Sequence, residues 1–188
     1  VVMQATKNGS RAFYVARLKS MWRTMNRLGI TESRVAEELP SIKKPRSVPK
    51  PLTHDEAHRL MTEADKPMRC WFILGCRAGL RAMEAATVRG TDFSDLGDGK
   101  YELRIRGKGN TDLVIPAHAD VARVFEANPT LGVLFPHSHP RKLSVAAGEE
   151  MRRLGVHPAR ARFHSCRHYF ATSVLEASGW DLLTTSKL

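Results

Sequence analysis

A chain of 188 residues, 42% hydrophobic and 26% charged, is long enough to bury a full core and too varied in composition to be collagenous or disordered. Its longest apolar stretch, Met68 to Gly79, is broken by Arg69 and Arg77 and falls short of the roughly 20 residues a bilayer span requires, which excludes a membrane helix. Lys and Arg outnumber Asp and Glu by 30 to 19, a net charge of +11, and residues 1–50 alone hold 11 basic against 3 acidic side chains, so the charge favours a polyanion such as nucleic acid as partner.

The first predicted element is a helix from Ser10 to Leu28. Tyr14, Leu18, Met21, Met25 and Leu28 recur at steps of three and four and define its apolar stripe, and Gly29 ends it. Arg11, Lys19, Arg23 and Arg27 fall at multiples of four and form a basic ridge without an acid, the first candidate for phosphate contacts. A short helix over Glu32 to Glu38 follows. Two such elements are too few to close a core, so residues 1–39 read as the C-terminal part of a larger helical domain. Residues 40–51 hold four prolines with Lys43, Lys44, Arg46 and Lys50, the pattern of an extended basic linker.

Thr53 and Glu56 have the spacing of a capping box and open a helix running to about Ala64. Pro67 suits the first turn of a second, apolar helix ending near Gly79, and Leu80 to Val88 reads as a third. Tyr101–Arg106 alternates apolar and polar residues, Leu113–Ile115 is β-prone, and Gly107-Lys108-Gly109-Asn110 lies between them, which predicts a hairpin. Helical patterns return over 118–127, 141–154 and 164–178. The expected class is mostly α with a small antiparallel sheet, residues 52–188 forming one domain.

Four constellations carry chemical meaning. His164 and Arg167, three apart at the edge of a predicted buried stripe of Phe163, Cys166, Phe170 and Val174, suit a phosphate: Arg offers a planar fork and a neutral His exchanges a proton. His164 and His168 have the spacing of a zinc-protease helix, but Ser165 stands where that motif needs Glu, and Arg167 between them would repel a dication. His137-Ser138-His139 precedes Pro140 and reads as a solvated turn. Gly107-Lys108-Gly109 lacks the spacing of a nucleotide cradle and instead offers one Lys on a Gly-flanked tip. Arg81 starts a helix after Gly79, with Glu84 one turn later to orient or neutralise it.

Gly79-Leu80-Arg81 with Glu84, then Gly107-Lys108-Gly109, then His164-x-x-Arg167-His168-x-Phe170-Ala171-Thr172, in this order, resemble the catalytic domain of the tyrosine recombinases, the phage-integrase family. Leu52 to Glu56 resembles the opening of that domain, and residues 1–39 the end of the helical domain that clamps the other side of DNA. The resemblance implies a site-specific DNA recombinase or integrase that breaks and rejoins strands through a 3′-phosphotyrosine intermediate, working as a homotetramer on paired sites in double-stranded DNA. It implies Arg81, Lys108, His164 and Arg167 as catalytic residues, Glu84 and His168 as their supports, and no cofactor, metal or nucleotide. The family's nucleophilic Tyr has no counterpart among Tyr14, Tyr101 and Tyr169; the expectation is that it lies beyond Leu188 and that the 188 residues alone do not cleave DNA. The hairpin also has Asn110, Thr111 and Asp112 where the family usually has a further basic residue. Type IB topoisomerase-like relaxation and a non-catalytic DNA-binding fragment are the alternatives. No secretory leader is visible, and three cysteines leave an odd one unpaired, so a reducing cytoplasm is expected.

Overall fold

The computed structural model describes residues 8–42, 50–106, 112–136 and 139–181. The chain divides into two compact units, Val1–Val48 and Pro49–Leu188, and the division falls inside the stretch read as a linker. Lys43, Lys44, Arg46 and Lys108, with His137 and Ser138 of the His-Ser-His turn, lie outside the described residues.

In the first unit α1 spans Asn8–Arg27 and packs against the single-turn helix α2, Val35–Glu38. The buried residues are Val15 and Ala36. The apolar stripe expected on α1 is therefore misassigned: Tyr14, Leu18, Met21 and Leu28 are exposed and Met25 half-buried, while Arg11, Ala12, Lys19 and Trp22 are half-buried beside Val15. Long basic side chains can lay their methylene stems along an apolar surface, so a ridge that counts as charged in sequence can still be a covered face. Arg23 and Arg27 are exposed, and Arg17 stands over the Phe13 ring, 5.2 Å from its centroid.

The second unit opens with α3, His54–Glu63. Its capping box is formed as expected, with the Glu56 backbone N–H donating to the Thr53 hydroxyl and the Thr53 N–H to the Glu56 carboxylate. Next come α4, Lys66–Arg77, with Pro67 in its first turn, and the short α5, Ala82–Thr87. The sheet has three antiparallel strands where the sequence suggested two: β1 (Phe93–Gly97), β2 (Lys100–Arg106) and β3 (Asp112–Ala117), in that spatial order. In the β2–β3 register Leu103 faces Ile115 and Ile105 faces Leu113. Leu103, Ile105 and Ile115 are buried while Arg104 and Arg106 point the other way, the alternation a one-faced sheet requires. Helices α6 (Ala119–Glu126), α7 (Pro140–Arg153) and α8 (His164–Ala177) complete the unit.

One core joins these elements, with Phe72 and Leu74 of α4, Leu60 of α3, Val121 of α6, Leu143 and Met151 of α7, and Phe163 and Cys166 all essentially inaccessible. Each such side chain contributes roughly 1.5–3 kcal/mol by leaving water, so α4, which meets α3, α5, α6 and α8, is the mechanical centre of the unit. The stripe expected on α8 is corrected at its end. Phe163 and Cys166 are buried, but Tyr169 and Ser165 complete the covered face, and Phe170 and Val174 are only half-buried. Among the described residues no helix is long and apolar enough to cross a membrane.

Candidate active site

The α4–α8 contact decides where the site lies. The Cα of Gly75 comes so close to α8 that a Cβ there would stand 2.8 Å from the Cys166 Cβ, and a Cβ on Gly79 would stand 2.5 Å from the Phe170 ring. Gly79 also has φ +65°, a left-handed conformation that turns the chain out of α4 and into the segment carrying Arg81. One glycine thus lets α8 approach and aims Leu80-Arg81 along it.

Arg167 reaches from α8 to this corner, and its Nη1 donates to the Gly79 carbonyl at 2.5 Å. Arg81 stands at the N-terminal end of α5. There the Glu84 carboxylate accepts both from the Arg81 backbone N–H at 2.7 Å and from its guanidinium at 2.6 Å. The two ends of that ion pair differ: the Glu84 side chain is 8% exposed and that of Arg81 58%, so a covered carboxylate fixes the base of a cation whose remaining donors face solvent.

The electrostatics show that Arg81, Arg167, Glu84, His164 and His168 share one neighbourhood. Burial lowers the Arg167 pKa first and the adjacent Arg81 charge lowers it further, against the opposing pull of Glu84. Two guanidiniums that feel each other's charge, with one carboxylate nearby, leave an excess of positive charge that an anion relieves. His164 is likewise held below the usual His range, by desolvation first and then by His168, Arg167 and Arg81. Each of these causes favours the uncharged ring, the form that can accept a proton. Its ring meets that of His168 edge to face, with centroids 4.5 Å apart.

Of the residues singled out in sequence, Arg81, Glu84, His164, Arg167 and His168 come together. Lys108 follows the end of β2 and lies outside the described residues; Lys50 is exposed. Arg11, Lys19, Arg23 and Arg27 belong to the first unit. The two tyrosines of this unit are both engaged away from the Arg81–Glu84 pair. Tyr169 is buried with its hydroxyl bonded to His54, Tyr101 is stacked on Phe93 at the sheet, and Tyr14 sits on α1. His139 caps α7 by accepting from the Arg141 N–H.

Sequence reading missed the anchors around the site. Glu56 is buried and takes three charge-assisted bonds from Arg160, 2.7, 2.9 and 3.2 Å, plus the backbone N–H of His157. Asp92, also buried, accepts from the Arg89 N–H and from Arg106 at the end of β2. The Glu56 partners stand about a hundred residues away in the chain, so no local spacing announces them. The Asp-Gly at 98–99 was a signal for the β1–β2 turn, and its pairing would have found β1.

The sequence pattern of the phage integrase family matches residues 50–188. Among curated relatives, the tyrosine recombinase XerC of Agrobacterium fabrum is 32% identical over 93% of this chain and 61% of its own length. The XerC of Rhizobium meliloti is 31% identical over 98% of this chain and 65% of its own. This chain thus spans somewhat under two thirds of those relatives. Among solved structures, the integrase from mycobacterium phage Brujita superposes with a TM-score of 0.65 at 28% identity, covering 96% of this chain and 63% of that one. The lambda integrase fragment 75–356 bound to DNA gives 0.73 at 15% identity, over 96% of this chain and 71% of that one, a likeness of fold alone. With three quarters of its residues inside the matched pattern, the chain belongs to the phage integrase family, the tyrosine recombinases.

Proposed function

We propose that this chain carries the phosphate-activating pocket of a site-specific recombinase that breaks and rejoins DNA strands through a 3′-phosphotyrosine bond, acting as a homotetramer on paired sites. The observation that carries the reading is the placement of Arg167 on the Gly79 carbonyl in the same neighbourhood as the Glu84-held Arg81 and His164. Arg81 and Arg167 would bind the non-bridging oxygens and hold them harder as phosphorus becomes five-coordinate. The attacking phenol oxygen forms the new P–O bond, His164 takes the phenol proton, and the 5′ oxygen departs with a proton from Lys108. The bond energy is kept in the phosphotyrosine linkage, so religation needs no nucleotide. Glu84 would keep Arg81 in place between turnovers, and His168 would back His164.

The 188 residues by themselves are proposed not to cleave. With Tyr169 buried and bonded to His54 and Tyr101 stacked on Phe93, neither tyrosine of the second unit is available as an attacking group, and water is a poor substitute for an oriented phenol.

The test separates binding from chemistry. In the whole enzyme, Arg81→Ala and Arg167→Ala should each lower cleavage on the order of a hundredfold or more, as loss of a transition-state donor does, while DNA affinity changes little. Equal losses in both would make them ordinary backbone contacts. The 188-residue chain, incubated with nicked duplex, should give no covalent adduct on a denaturing gel; an adduct mapping to Tyr14, Tyr101 or Tyr169 would overturn the assignment of the pocket.

A further inference from the structure

The first turn of α3 holds the α8 region at two points. Glu56 ties down Arg160 and the His157 backbone ahead of α8. His54, two residues earlier, meets Tyr169 in the middle of α8, with Nδ1 and the hydroxyl oxygen 2.7 Å apart and the ring centroids 5.5 Å apart at 66°. Tyr169 is buried, 7% exposed, and its hydroxyl meets the exposed His54 ring at the edge of the core. The hydroxyl donates to Nδ1 when His54 carries its proton on Nε2.

The position of this contact on the helix is what gives it a consequence. Tyr169 directly follows His168 and, at 100° per residue, lies roughly 140° around α8 from His164, on the side away from the arginines. Among the other contacts that seat α8 near the site, two kinds stand out beside the Cys166–Cys76 thiol pair. Cys166 against Gly75 and Phe170 against Gly79 are close apolar contacts that set how deeply α8 seats and limit its roll from the α4 side. The Arg167 bond to the Gly79 carbonyl is directional, but it draws on the guanidinium that has to serve a phosphate. A roll of α8 by about 10° would move a side-chain tip some 6 Å from the helix axis by about 1 Å, a displacement large enough to cost on the order of a hundredfold in a positioned reaction.

We propose that His54 and Tyr169 are a positioning pair whose hydrogen bond fixes the rotation of α8 and thereby the placement of His164 and Arg167 for a bound phosphate; this rests on the reading of the pocket given above. It also gives Tyr169 a task other than nucleophile. The groups that surround His164, and so report on that placement, are His168 and Arg167 on α8 and Arg81 at the start of α5.

The experiment uses the 188-residue chain and follows the His164 imidazole by NMR titration, without and with nicked duplex DNA. In the free chain, Tyr169→Phe and His54→Leu should each let His164 titrate at higher pH than in the native protein, because a rotated helix relieves its desolvation and its crowding by the arginines. His54→Asn, whose side-chain amide stands where Nδ1 stood, should keep the native midpoint. Melting temperature should fall by no more than about 5 °C in any of the three, the size expected for one neutral hydrogen bond. A His164 midpoint unchanged in both Tyr169→Phe and His54→Leu, with only melting affected, would reduce the pair to a structural brace and overturn the proposal. Should Tyr169→Phe fail to fold, His54→Leu decides, since His54 is exposed. The reading of the pocket has its own signal: nicked DNA should raise the His164 midpoint in the native chain, and its failure to do so would remove that reading however the variants behave.

Discussion

Helices α1 and α8 both present apolar residues at helical spacing, and they meet opposite fates. On α8 the packing is so close that neither Gly75 nor Gly79 of the facing segment has room for a methyl group. On α1, a longer helix, Val15 is buried and Phe13, Tyr14, Leu18 and Met21 stand about half exposed within their unit. The difference teaches that periodicity names the residues that could be covered, while only a partner of matching shape decides which are. It also explains where the candidate chemistry sits. Arg167 and Arg81 hang from closely packed backbone, which is where a site needing preorganised charge gains most.

The sharpest way to break the α8 side of this contrast is Gly79→Ala. The new Cβ would meet the Phe170 ring at 2.5 Å in a backbone conformation that L-residues adopt only with strain. Overpacking and left-handed strain together should cost about 3 kcal/mol or more, read as a lowered midpoint in urea unfolding of the 188-residue chain. Phe170→Leu, introduced in the same chain, should recover part of the loss by making space. If the double variant is as unstable as Gly79→Ala alone, the clash with Phe170 is not the cause.

A somewhat smaller effect is expected from the Glu56 anchor, and it carries a pH signature. Burial opposes ionisation of Glu56, but the Arg160 bonds and the backbone N–H groups of Thr53 and His157 outweigh it and bring its pKa from 4.5 to about 2. A carboxylate whose pKa is lower folded than unfolded stabilises the fold above the unfolded value and loses that contribution as pH falls toward the folded one. The window is therefore pH 4.5 down to about 2, and the amount is about 3 kcal/mol. Glu56→Gln should be destabilised by a similar amount at pH 7 and should lose less than the native chain between pH 4.5 and 2. Parallel acid profiles for the two proteins would show that the carboxylate's charge contributes nothing in that window.

These anchors also mark how far the sequence could be read. Thr53 and Glu56 announced their capping box because both halves lie within one turn, and Pro67 and Gly79 marked the ends of α4 because proline and glycine act through their own backbone. The boundaries of α6, α7 and α8 were legible within a residue or two for the same reason. Arg81 with Glu84, and His164 with Arg167 and His168, were legible as pairs and triples because each set sits on one short helical segment. That the two sets share one neighbourhood, with Arg167 on the Gly79 carbonyl, was not, since this is a property of how α8 seats on α4. The partners of Glu56 and His54 were invisible for the same reason, with His54 and Tyr169 separated by 115 positions. The sheet's first strand, β1, was missed because almost all of its residues are exposed, so it lacks the alternation that revealed β2.

The smallest expected effect sharpens the contrast from the α1 side. Leu18 and Met21 belong to the stripe that sequence periodicity marks as apolar, yet both are more than 40% exposed. Replacing exposed apolar side chains by polar ones of similar length removes little buried area, and glutamine has a helix propensity close to that of leucine and methionine. Leu18→Gln combined with Met21→Gln should therefore change stability by no more than about 0.5 kcal/mol per site. Val15→Gln, one turn from Leu18 but on the covered face, should cost more, because it takes a polar amide out of water into a site shaped for a valine. Thermal unfolding followed by circular dichroism compares the two. Should the double variant fall as far as Val15→Gln, the face carrying Leu18 and Met21 is covered in solution and the periodicity reading of α1 stands after all; should it stay at the native midpoint, α1 differs from α8 in having an apolar face that contributes nothing to its own unit's stability.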